Sequence, residues 1–285
     1  KESSAASDVY KRQVERDISN LKRIQFLEKE SKLVNDHIIS ILKNSQSADN
    51  WLTENHNKYQ GKRCFLVGGG PSLKKMDLSL LKDEMVMAVN GSFLLNEMNP
   101  DFYLTVSYHW FEKYINEVKD FKCKRKFFPH YLQKLDSPSA PISWFNSVEV
   151  QFLQRLNIES PLFFSKDANR LVVNGGSVLI SASQILYYLG FSEVILLGVD
   201  HNFNLSSDEL DEARGVAIKS DQIPHFMDDY YRKENNIHLN IHDIERGFQL
   251  AKDAFETSGR KLLNATPHTE LDIVERVSYD ELFLK

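Results

Sequence analysis

Four stations along the chain carry residue types suited to binding and proton transfer. The first is FLVGGGPSLKK at 65–75, where an apolar run opens into Gly68, Gly69 and Gly70, then Pro71 and Ser72. Glycines after a buried strand let another group approach the backbone closely. Pro71 suits a first helical turn, and the unpaired N–H groups at such a turn attract anions. The loop therefore reads either as a phosphate cradle or as a plain tight turn. It is neither a P-loop, since no GK[ST] follows, nor GxGxxG. The second station is Asn90, followed by Gly91 and Ser92. Its amide can read a base or ribose with both donor and acceptor, or can simply form a turn.

The third station is NGGSVLISASQILYYLGFSEVILLGVDHNF at 174–203. Asn174, Gly175, Gly176 and Ser177 open a helix of small and apolar residues, Gly190 is suited to its C-cap, and the next strand ends in Gly198, Val199, Asp200 and His201. Asp200 could hold a substrate hydroxyl, orient a loop or bind a metal. Adjacent Asp and His at a strand end more often make structural hydrogen bonds than a ligand pair. The fourth station, QIPHFMDDYYRKENNIHLNIHDIERGF at 222–248, is aromatic and charged like an active-site loop. His225, His238 and His242 fall in it; a histidine titrating near neutrality is a natural general base for a hydroxyl. His238 and His242 are four apart, a spacing that would suit zinc on a helix, but no third ligand accompanies them.

The elements that must position these residues follow from patterning. Strand-like runs at 63–68, 85–90, 102–107, 126–128, 194–198 and 261–265 alternate with helical spacing over Leu73–Leu81, Trp110–Val118, Val178–Leu189 and Ile241–Thr257. This alternation predicts an α/β, Rossmann-like fold, a mostly parallel sheet with helices on both faces, whose ligands would sit at the carboxyl ends of the strands. The stretch 136–170 has no clear period. Residues 1–58 read as an N-terminal helical arm: Val14, Ile18, Leu21, Ile24 and Leu27 recur at helical spacing, and the arm would pack on the domain or make a homo-oligomer. The domain then spans 59–285. Residues 3–13, SSAASDVYKRQ, resemble translated library-adapter sequence and carry no functional weight.

Composition excludes some functions. The 285-residue chain has a formal charge of -5, which argues against a nucleic-acid partner bound through phosphate neutralisation. No apolar run approaches the ~20 residues of a membrane span, and the polar N-terminus predicts no secretory leader. Two cysteines, Cys64 and Cys123, make no disulfide framework. The expected location is cytoplasmic, with peripheral membrane association as a variant.

The ordered set GGGPSLKKMDLSLLKDE, VNGSFL, NGGSVLISASQILYYLGFSEVILLGVDHNF, HFMDDYY and LLNATPHTELDIVERVSYDEL resembles the MptE-like 6-hydroxymethylpterin diphosphokinase family, which includes the central domain of bacterial motility-associated factor proteins. The resemblance covers about residues 59–285. The same order is distantly similar to the bacterial lipooligosaccharide sialyltransferases, which share a GxGPSL loop, an Asn after the second strand and LGxxEIxLxGxD. These resemblances imply a nucleotide-binding α/β domain and three alternatives.

The first is a glycosyltransferase using a CMP-activated sugar of the sialic or nonulosonic type, with no metal, acting on a glycan or other hydroxylated acceptor in polysaccharide or glycoprotein biosynthesis. Its donor site would be Gly68, Gly69, Gly70, Pro71, Ser72, Asn90, Asn174, Gly175, Gly176, Ser177 and Asp200, and its base His225 or His238. The second is a diphosphokinase using ATP and Mg²⁺, with Asp200, Asp228 and Asp229 as the available acids. The third is a non-catalytic interaction protein. The sialyltransferases carry Asn where this chain has Gly69, which removes a side-chain amide from the implied donor pocket.

Overall fold

The computed structural model describes residues 49–95, 97–132, 138–149, 162–203, 217–219, 224–227, 236–238 and 241–284. The chain divides after Gln46, and all of these belong to the unit Ser47–Lys285. The periodic arm at 14–43 lies outside the described residues.

In chain order the elements are α1 (Asn50–Glu54), β1 (Arg63–Val67), β2 (Val86–Val89), β3 (Phe102–Leu104), α2 (Tyr108–Lys113), α3 (Ile115–Asp120), β4 (Arg125–Pro129), β5 (Ile142–Phe145), β6 (Ser147–Glu149) and β7 (Val172–Asn174). Then come α4 (Val178–Leu189), β8 (Glu193–Leu197), β9 (Ala217–Lys219), β10 (Asn236–His238), α5 (Ile241–Thr257), β11 (Lys261–Asn264) and β12 (Glu275–Arg276). Eight strands form one sheet in the order β12-β11-β8-β1-β2-β3-β4-β5. Every pairing in it is parallel. The chain builds outward from β1 through β5, then returns to the other side of β1 with β8, β11 and β12. The direction of winding therefore reverses between β1 and β8, which makes their carboxyl ends the topological switch point.

Side chains alternate across the sheet with period two. Cys64, Leu66, Met87, Phe102, Leu104, Val194 and Leu196 enter one core with α4 and α5. Phe65, Val67, Val86, Ala88, Tyr103, Ile195 and Leu197 enter the other, with Leu73, Leu81, Trp110, Phe111 and Val118. Both faces are thus covered, which explains strands that read as continuous apolar runs.

Helix α4 is buried along nearly its whole length. It packs on β1 and β2 and also on α5, so an apolar surface all round is what its position demands. Ser177 caps its start and Gly190, at φ 95°, ends it. Its one large polar residue, Gln184, is fully buried. The Gln184 Oε1 atom accepts from Ser165 N and Val173 N, each at 3.0 Å, and its Nε2 donates to Val173 O at 2.7 Å and Ile180 O at 3.0 Å. Among the described strands, β7 pairs only with β6 and lies outside the eight-stranded sheet. Gln184 supplies backbone partners that a neighbouring strand would otherwise provide.

Several local expectations differ. Leu73–Leu81 is not one helix but two 3-10 turns, Pro71–Lys75 and Leu78–Asp83, the second capped by Asp77. The pattern over Trp110–Val118 spans two short helices, α2 and α3, broken at Tyr114. The unassigned stretch 136–170 contributes β5 and β6. Residues 49–58, placed in the arm by sequence, pack with the domain: Leu52 is fully buried, and Trp51 stacks edge-on against Phe102 and Phe127.

Candidate functional site

The loops that leave β1 and β8 meet at the switch point. Gly68 N donates to Leu197 O and Gly70 N to Gly198 O, both at 2.8 Å. These bonds extend the β1–β8 pairing past the ends of both strands. A Cβ on Gly68 would stand 2.7 Å from Gly198 O, and one on Gly70 would stand 1.8 Å from Asp200 Oδ2. Close packing of one loop on the other requires glycine at both positions.

Asp200 locks the junction. Its Oδ1 accepts from Ser72 N at 3.1 Å and its Oδ2 from Ser72 Oγ at 2.8 Å. The carboxylate therefore occupies the donors at the start of the 3-10 turn. Burial raises the Asp200 pKa, opposed by the two bonds from Ser72 and by the charge of Lys75. The β8 loop is held in turn by the segment after β11. Thr266 Oγ1 accepts from Val199 N at 3.0 Å, Thr269 Oγ1 donates to Val199 O at 2.6 Å, and Glu270 N donates to Asp200 O at 2.8 Å.

Gly69 offers its carbonyl to the fourth station. It accepts from Phe226 N at 2.9 Å and from His225 Nδ1 at 3.2 Å. A carbonyl only accepts, so Nδ1 carries the proton and Nε2 is the basic nitrogen of the neutral ring. Burial pushes the His225 pKa down to about 4. The ring is therefore neutral across the physiological range.

Asn90 follows directly on β2, with φ 47°, and opens a 3-10 turn, Asn90–Leu94. Its Oδ1 accepts from Thr105 Oγ1 at 2.8 Å, so its side chain is oriented from the end of β3. Ser92 Oγ donates to Val67 O at 2.9 Å and ties this turn to the end of β1. Asn174, Gly175, Gly176 and Ser177 link β7 to α4, where Ser177 Oγ accepts from Leu179 N at 3.4 Å. Of the residues singled out by sequence, Gly68–Ser72, Asp200 and His225 are joined by direct contacts. Asn90 flanks them on the neighbouring strand. No described hydrogen bond joins residues 174–177 to that group.

His238 and His242 do not share a helix: His238 lies in β10 and His242 in the first turn of α5. The helical zinc spacing is therefore not realised. Asp228 and Asp229 lie outside the described residues. Among the described residues no three His, Cys, Asp or Glu side chains are grouped closely enough to hold a metal. Of the acids near the junction, Asp200 is engaged by Ser72, Glu245 by His201 at 3.3 Å and Glu270 by Asn202 at 2.7 Å. The His201–Glu245 contact escaped sequence reasoning. Asp200 and His201 are adjacent, yet His201, at φ 55°, turns to α5 while Asp200 turns to Ser72. No helix among the described residues is long and apolar enough to cross a membrane.

A search of curated proteins returned no match. Among solved structures, the chain is similar to the sialyltransferase CstII from Campylobacter jejuni in complex with cytidine-5′-monophosphate, at 15% identity over 76% of this chain and 85% of that one, with a TM-score of 0.44. A complex of the same enzyme with CMP-3FNeuAc gives 14% identity over 75% and 86%, with a TM-score of 0.45. The sialyltransferase CST-II with trisaccharide acceptor and CMP gives 15% over 75% and 86%, with a TM-score of 0.42. The sequence profile described as 6-hydroxymethylpterin diphosphokinase MptE-like matches residues 37–205, more than half of the chain, and the protein belongs to this MptE-like family.

Proposed function

We propose that the protein is a nucleotide-dependent transferase whose acceptor is a hydroxyl group, and that it transfers a sugar of the sialic or nonulosonic type from a CMP-activated donor to a glycan or glycoprotein. One observation carries this reading: a neutral histidine, His225, hangs from the Gly69 carbonyl at the switch point of the sheet. Gly68–Ser72, Asn90, Asn174–Ser177 and Asp200 form the donor side. In the reaction the acceptor oxygen bonds to the anomeric carbon. The bond from that carbon to the phosphate oxygen breaks, and CMP leaves with the electron pair. The acceptor proton passes to His225 Nε2. A ring with a pKa of about 4 is a weak base, so it takes the proton only as the new C–O bond makes the hydroxyl acidic. His238 is the alternative base.

Replacing His225 by Ala should abolish turnover while CMP binding persists, and His238→Ala provides the parallel test. Full turnover in both variants would refute a histidine base.

Family membership favours a second reading, pyrophosphoryl transfer from ATP to a hydroxymethylpterin. Mg²⁺ would then bridge the phosphates. The described carboxylates do not form a set for it, since Asp200, Glu245 and Glu270 each hold a protein partner. ATP binding that requires Mg²⁺ would favour this second reading.

A further inference from the structure

The 3-10 turn Pro71–Lys75 follows the glycine loop directly, and its rotation about its own axis is fixed. A 3-10 helix has three residues per turn, so side chains at i and i+3 eclipse. Leu73 and Met76 are buried in the same core, as that period requires. Leu73 also packs on the β8 loop: a Cβ on Gly198 would stand 2.6 Å from its Cγ. With this row facing inward, Ser72 and Lys75 form an adjacent row. Ser72 is buried and is bonded to Asp200 through N at 3.1 Å and Oγ at 2.8 Å. Lys75 stands one turn further along that edge, about 6 Å on at ~2 Å per residue. It is exposed, and among the described residues no hydrogen bond or ion pair ties its ammonium down. Its charge acts on Asp200, where burial raises the carboxyl pKa and the Ser72 bonds and Lys75 lower it. Lys74 lies about 120° around the turn from this row.

Asp200 suits one part of a nucleotide and not another. A carboxylate has about four acceptor positions, so with two bonds from Ser72 it can still accept from a ribose or sugar hydroxyl. A phosphate brought beside it meets like charge. An ammonium on a flexible stem, one turn along on the exposed side of the same row, offsets that repulsion and binds phosphate as a point charge. We propose that Lys75 is the phosphate-holding cation of the donor site, working beside Asp200 and Ser72, which take the hydroxyl side of the nucleotide. The inference rests on the reading of the switch point as a nucleotide site. It deepens that reading by naming the group that meets the phosphate, whichever nucleotide binds.

The test compares the 285-residue chain with its Lys75→Met, Lys75→Arg and Lys82→Met variants. Lys75 and Lys82 are both exposed, so each variant should fold. Titration with CMP at low ionic strength should show about fivefold weaker binding in Lys75→Met, the upper range for a pair of exposed charges. The difference should shrink as salt is added. Lys75→Arg and Lys82→Met should bind CMP as the wild type does, and cytidine, which lacks the phosphate, should not distinguish Lys75→Met from the wild type. A second readout needs no ligand: in a ¹³C titration of the Asp200 carboxyl, Lys75→Met should move its pKa upward and Lys82→Met should leave it in place. Equal CMP affinity in Lys75→Met and the wild type, an equal loss with cytidine, or an unmoved Asp200 titration would overturn the proposal. Failure of the sugar-transfer reading looks different, since it shows in the wild type as binding of ATP with Mg²⁺ and not of CMP; the same comparison, made with ATP against adenosine, then decides the role of Lys75. A wild-type protein that binds neither nucleotide would overturn both.

Discussion

Gly70→Ala tests the packing of the two loops most sharply. The Gly70 backbone, at φ -70° and ψ 152°, is open to any residue, so alanine there incurs no conformational penalty. The cost is steric. The new Cβ would stand 1.8 Å from Asp200 Oδ2, 2.8 Å from its Cγ and 2.7 Å from Gly198 O. The carboxylate must leave, and both bonds to Ser72 are lost. Hydrogen bonds to a charged group contribute about 1.5–3 kcal/mol each, and water recovers part of this at a half-exposed carboxylate. The net loss should be about 2–4 kcal/mol. With a urea m-value of about 3 kcal/mol/M, the unfolding midpoint should fall by roughly 1 M. A double-mutant cycle isolates the cause: in an Asp200→Ala background the side-chain clash is absent and only the approach to Gly198 O remains. Adding Gly70→Ala there should cost at least about 1 kcal/mol less than in the wild type. Strict additivity, or a midpoint unchanged by Gly70→Ala alone, would refute the argument.

Other perturbations have equally direct outcomes. Gln184→Leu conserves volume but strands Ser165 N, Val173 N and Val173 O in the core, so stability should fall by about 3–5 kcal/mol in urea titration. Lys126 is fully buried, with its Nζ donating to Val118 O, Lys119 O and Ser139 Oγ at the end of α3, and Lys126→Met should cost about 2–4 kcal/mol by the same measurement. The lowered His225 pKa has a defined sign. The unfolded ring protonates near its usual ~6.5, so the stabilisation is complete above that pH and is lost as pH falls toward about 4, by up to about 3 kcal/mol. His225→Gln should remove that part of the acid sensitivity, seen as a smaller stability difference between about pH 7 and pH 4.5.

The long elements were legible because periodicity is a local signal. α4 and α5 run over Val178–Leu189 and Ile241–Thr257, as their apolar spacing predicts, and the central strands overlap the apolar runs to within a residue or two at each end. The short elements were not: β5 and β6 span too few residues for a period to emerge, and Pro71–Asp83 breaks into 3-10 turns at Met76 and Asp77. The site was legible as a set of residues but not as a set of contacts. GGGPS announces close backbone approach, but not that the approaching group is Asp200, 128 positions from Ser72. The histidine in HFMDD was visible as a base candidate, while its link to Gly69 spans 156 positions. His201 and Glu245 lie 44 positions apart in different motifs, and no spacing rule joins them. Gln184 reads as one more residue of a helix, and only the isolation of β7 from the main sheet explains why an amide is buried there.

Calorimetric titration of the 285-residue chain with CMP and with ATP, each with and without Mg²⁺, tests the central claim most directly. The account predicts CMP binding that does not depend on the metal and that persists in His225→Ala. Binding of ATP alone, and only with Mg²⁺, would contradict it in favour of pyrophosphoryl transfer, and the absence of heat with either nucleotide would contradict a nucleotide site at the switch point altogether.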